Sequence, residues 1–156
     1  MIRGMDHSHG HLPTTEAAVT ALRALADAYG REIEVTHDIG ADRTSRRTAA
    51  GVGVTTDPDG SLPHEAYVEF GGLPRVEVRL HPEDDARITV EGIPCDDIAR
   101  DDVPAFCRSV FDGLAHVRAR RFPPGYRLVV PLPGDRAHTE RFPFILLSPW
   151  LSRHIR

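Results

Sequence analysis

Three of the nine histidines stand together near the start, where His7, His9 and His11 alternate at spacing two. An extended segment sets such imidazoles on one side, where zinc, nickel or copper can be held. Residues 1–13 show no period and end at Pro13, which describes a loosely held arm, with Met5 as an alternative start to Met1. A structural zinc site needs four fixed ligands and groups behind them to orient them, which such an arm does not supply. Incidental binding of zinc or another divalent transition metal is therefore favoured over a functional centre, and no cofactor is assigned.

Other groupings also carry chemistry in principle. His138-Thr-Glu140 has the His-x-Glu spacing of zinc deaminases, but no Pro-Cys-x-x-Cys follows, and Pro94-Cys95 lies upstream without a second cysteine. His64-Glu65 begins no His-Glu-x-x-His helix, because the next residues alternate as a strand. His64, His81, His116, His138 and the aspartates can still meet in space, so a metal-assisted hydrolytic enzyme is the alternative function. Cys107 falls on an apolar helical face and is expected to be buried, whereas Cys95 precedes an acidic stretch and is expected to be more open.

That stretch contains two aspartate pairs. Asp101 and Asp102 immediately precede an amphipathic run and are expected to cap its unpaired N–H groups. Asp96 and Asp97 are left over from this task and become candidates for meeting a basic partner. Arg118, Arg120 and Arg121 lead into Phe122 and Tyr126, a basic and aromatic cluster that arginines closing a helix would also explain. Arg43, Arg46 and Arg47 form a second cluster, without a nucleic-acid motif.

The elements that must position these groups follow from periodicity. Ala18, Leu22, Leu25, Ala26 and Tyr29 share a helical face between Thr14 and Gly30. Ile33 and Val35 mark a first strand, and residues 49–56 a second, followed by a turn at Asp57-Pro-Asp-Gly60. Residues 65–70, 75–80 and 87–91 alternate apolar with charged side chains, and their short connections predict an antiparallel meander. Val103, Phe106, Cys107, Val110, Leu114 and Val117 predict a second helix over 103–117. Residues 126–130 form a later strand, with 142–147 pairing beside it at an edge. The expected fold is α+β: a mainly antiparallel sheet of about five to seven strands with two helices packed on it, a single domain over 14–156.

The 156 residues carry a formal net charge of -4, and all 19 basic side chains are arginine. Lysine chemistry is thereby excluded, nucleic acid is disfavoured as a partner, and no apolar run suggests a membrane span, so a cytoplasmic location is the default. The apolar tail around Trp150 and Leu151 needs burial, either in the core or against a partner or second copy in a homodimer. With no catalytic motif, the expected function is a small non-enzymatic protein-binding module, of the immunity-protein, antitoxin or secretion-chaperone kind. Its expected contact residues are Asp96, Asp97, Trp150 and Leu151.

Overall fold

A computed structural model describes residues 11–37 and 65–156. Alternation of branched apolar residues with charged ones produces five strands in chain order: β1 (Ile33–His37), β2 (Ala66–Phe70), β3 (Val76–Leu80), β4 (Asp85–Val90) and β5 (Ile93–Ala99). Each is antiparallel to its neighbour, giving the expected meander. A second antiparallel sheet holds β6 (His116–Arg120), β7 (Gly125–Leu132) and β8 (Arg136–Phe142). With α1 (Thr15–Ala28), α2 (Val103–Phe111) and the short α3 (Pro149–Arg153), the class is α+β as expected, but the described strands divide between two sheets. The strand expected over 49–56 and its turn lie outside the described residues. Among the described residues, no helix is long and apolar enough to cross a membrane.

Helix α1 starts where the Thr14 hydroxyl accepts a 3.0 Å hydrogen bond from the Ala17 N–H. It stops at Gly30, whose φ of 61° suits a residue without a side chain. Its buried stripe, Ala18, Val19, Leu22, Leu25 and Ala26, joins Val68, Phe70, Val76, Val78, Leu80, Ile88 and Val90 from the meander in one core. Each fully buried branched side chain of this kind contributes roughly 1.5 to 3 kcal/mol. Phe111 closes the far side, 5.1 Å from Phe70 and 5.3 Å from Tyr29 between ring centroids, with the Arg31 guanidinium over its face at 4.1 Å.

Residues 93–99, which are not among the expected strands, form strand β5. They escape the alternation because the strand bulges: Ala86 pairs Ile98 and Ile88 pairs Cys95, so Asp96 and Asp97 together face Arg87. Asp97 adopts φ 57°, and the extra residue returns Ile98 to the core face already used by Ile93 and Cys95. Helix α2 also ends earlier than expected. Gly113, at φ 73°, stops it, so Leu114 is half exposed and Val117 is buried in β6. Residues 136–142, rather than 142–147, form the strand beside β7, and Phe144–Leu146 is a single 3-10 turn.

The C-terminal segment completes β6. Val117 donates to the His154 carbonyl at 2.8 Å and accepts from the Arg156 N–H at 2.9 Å, so Ile155 runs parallel beside it. Helix α3, capped by the Ser148 hydroxyl on the Leu151 N–H at 3.2 Å, carries Leu151 fully into the core.

Candidate functional site

Most of the carboxylates singled out in the sequence are engaged within the chain. Asp101 accepts hydrogen bonds from the Leu12 N–H at 2.6 Å and from His11 Nδ1 at 2.9 Å. The bond to His11, then that to Leu12, hold its carboxyl below the usual aspartate value. Asp102 occupies the first cap position of α2, yet its side chain makes no cap bond and instead meets Arg136. The capping role expected of this pair is therefore replaced by tertiary ties. Asp96 is held by Arg87 across the bulge. Asp97 is exposed and has no hydrogen-bond or ionic partner among the described residues.

Other expected contact and metal residues are likewise placed by packing. Leu151 is fully buried, and Trp150 stacks on His154 with ring centroids 3.9 Å apart. His11 lies against Asp101, while His7, His9 and His64 lie outside the described residues. His81 sits 3.6 Å from Glu65, and His116 lies 3.1 Å from the Leu114 carbonyl. His11, His81 and His116 do not gather around one point: among the described residues the only trio of His, Cys, Asp or Glu with converging ligand atoms is Cys95, His138 and Glu140.

That trio sits where β5 meets β8. His138 and Glu140, two residues apart on one strand, share the half-buried inward face of β8, and Cys95 points into the core from β5. Their ligand atoms lie within 4.8 Å of one another, with His138 Nε2 3.5 Å from Glu140 Oε2. Burial, then the charges of Glu140 and Asp96, push the Cys95 thiol up to about 12. Burial alone does the same to Cys107.

A different pattern covers the outer face of the three-stranded sheet. Cross-strand register sets Arg118 opposite Arg127 and Arg127 opposite Arg141, a row of like charges one strand spacing apart. Arg120 stands beside this row, and the neighbouring charge of Arg141, followed by burial and Arg127, lowers its pKa. None of the four has a hydrogen-bonding or ionic partner among the described residues. At the end of the same sheet, Phe122 and Ile145 are each 89% exposed and Phe144 is 57% exposed, its ring 4.9 Å from Tyr126. The sequence displayed this cluster, but with Arg118, Arg120 and Arg121 attributed to a helix end; the missing signal was Arg141, distant in sequence and brought alongside by the β7–β8 register.

The outer face of the meander carries both charges: Arg79 faces Arg87, and a row of glutamates lies beside them. Glu34 faces Glu69, and Glu69 faces Glu77, on three adjacent strands, with Arg75 4.0 Å from Glu69 and 3.8 Å from Glu77. Comparison with protein-family models, curated proteins and solved structures finds no match to this chain.

Proposed function

We propose that this chain is a non-enzymatic protein-binding module, of the immunity-protein, antitoxin or secretion-chaperone kind, that receives an acidic partner on the outer face of β6, β7 and β8. The supporting observation is the Arg118–Arg127–Arg141 row. Like charges directly opposite on adjacent strands destabilise a sheet, and an anionic counter-surface converts that repulsion into attraction. Phe122, Phe144 and Ile145 at the sheet end supply the apolar anchors that a protein partner uses and a free phosphate does not. The basic partner suggested by Asp96 and Asp97 has less to hold, since Arg87 already occupies Asp96.

Nuclease-treated lysate of the native host, passed over the immobilised protein and over its Arg127→Glu and Ile145→Asp variants, tests this function. A protein retained by the parent and released by both substitutions supports it. Retention unaffected by either substitution, or seen only when the nuclease is omitted, removes it.

A second copy of the chain is a specific form of the same partner, because the Glu34–Glu69–Glu77 row, offset in part by Arg75 at 4.0 and 3.8 Å, offers acidic groups at the same strand spacing. Basic face on acidic face is a head-to-tail contact, which closes into a ring or continues as a fibre. Sedimentation at low and high salt distinguishes it: salt-sensitive oligomers abolished by Arg127→Glu support self-association, and a monomer at low salt excludes it.

A further inference from the structure

We propose that Cys95, His138 and Glu140 form a binding site for zinc or a zinc-like divalent ion at the junction of the two sheets. The donor set is a sulfur, an imidazole nitrogen and a carboxylate oxygen, the three side-chain types zinc takes. Zinc holds such donors at about 2.0 to 2.3 Å, which places neighbouring ligand atoms roughly 3.3 to 3.7 Å apart in a tetrahedron. His138 Nε2 and Glu140 Oε2, at 3.5 Å, already have that separation. The rest of the trio falls within 4.8 Å.

The surroundings call for a ligand at this point. His138 Nε2 is buried and makes no hydrogen bond of proper geometry, with Glu140 Oε2 standing 3.5 Å away. Phe106 meets the imidazole edge to face at 5.8 Å and restricts its swing. Glu140 places a negative group beside that nitrogen on an inward strand face where an apolar residue would pack more easily. A cation bonded to both side chains and to Cys95 satisfies the orphan nitrogen and neutralises the carboxylate together. On binding, the metal–sulfur bond forms as the thiol proton passes to solvent, so affinity rises with pH. Three protein donors leave the fourth position of a tetrahedral ion for water or another ligand.

Cobalt(II) is the probe, added to protein in which His7, His9 and His11 are all alanine, so that the arm cannot supply ligands. The expected result is stoichiometric binding with a near-ultraviolet thiolate-to-cobalt charge-transfer band and visible bands of tetrahedral intensity, all displaced by zinc. Cys95→Ser should remove the charge-transfer band, and His138→Ala should weaken binding by no less than about 10-fold, the lower bound for losing even an outer-shell partner. Folded arm-substituted protein that gives no charge-transfer band overturns the site, and so does a band that survives Cys95→Ser. If Cys95→Ser does not fold, Glu140→Gln decides: reduced affinity with an altered visible spectrum supports the site, and unchanged binding overturns it.

Discussion

Asp102 receives two parallel hydrogen bonds from Arg136, one of 2.8 Å from Nη2 to Oδ1 and one of 2.9 Å from Nη1 to Oδ2. The pair ties the start of α2 to the start of β8. It also explains why an aspartate at a helix entrance leaves the cap unbonded: a planar guanidinium matches both carboxylate oxygens, whereas a cap bond uses one. Arg100 works similarly one turn earlier, donating from a buried position to the carbonyls of Pro13, Pro82 and Glu83.

A double-mutant cycle with Asp102→Ala and Arg136→Ala should give a coupling of about 1 kcal/mol at low salt, because the geometry is bidentate but Arg136 is largely exposed. Added salt should reduce it. A coupling indistinguishable from zero at low salt would show that the clasp contributes nothing in solution.

Both thiols should be inert in the folded, metal-free protein. Burial pushes Cys95 and Cys107 up to about 12, so a thiol reagent at mildly alkaline pH should modify neither until denaturant is added. Above the ordinary thiol value of 9.0, the unfolded chain loses protons that the folded chain keeps, so stability should fall as pH rises from there toward 12. Each thiol contributes at most about 1.4 kcal/mol per pH unit. Denaturant midpoints that stay constant across this window would contradict the burial-driven shifts.

The meander was legible because its inward residues are apolar without interruption, as in Val76, Val78 and Leu80 or Ile88 and Val90. β5 was not, since the bulge at Asp96–Asp97 inserts one residue and breaks the alternation that identifies a strand. β8 was hidden for another reason: its inward positions His138 and Glu140 are polar, so hydrophobic alternation marks only Phe142. Leu114 and Val117 continued the helical stripe of α2 by coincidence, and Gly113 carried the stop signal that outranks it. The trio of Cys95, His138 and Glu140 was visible as residues but set aside, because its order and spacing do not match the deaminase motif and no local pattern shows that β5 lies against β8. The arginine row needed a register that no local pattern encodes.

Leu151→Ala should destabilise the protein by about 2 to 5 kcal/mol, the range for emptying a fully buried leucine site. Ile145→Asp, four-fifths or more of whose side chain meets solvent, should change stability by no more than about 0.5 kcal/mol. Chemical denaturation of the two variants separates the parts of the C-terminal segment. Equal losses would mean that the exposed residues pack against something in the isolated chain.

Arg127 stands between Arg118 and Arg141, so its guanidinium feels both like-charged neighbours while no acidic group among the described residues offsets them. Threonine suits a strand position and removes the central charge, so Arg127→Thr should stabilise the free protein by a few tenths to about 1 kcal/mol at low salt. The gain should shrink as salt screens the row. The same substitution should weaken capture of an acidic partner, giving opposite signs for stability and binding. That opposition is expected where a surface keeps a repulsive charge for recognition. Denaturation at two ionic strengths, alongside the binding assay, measures both signs on one variant. A destabilised Arg127→Thr protein at low salt would mean that the arginine stem contributes more by packing than its charge costs, and the row would lose its standing as a surface held ready for an anion.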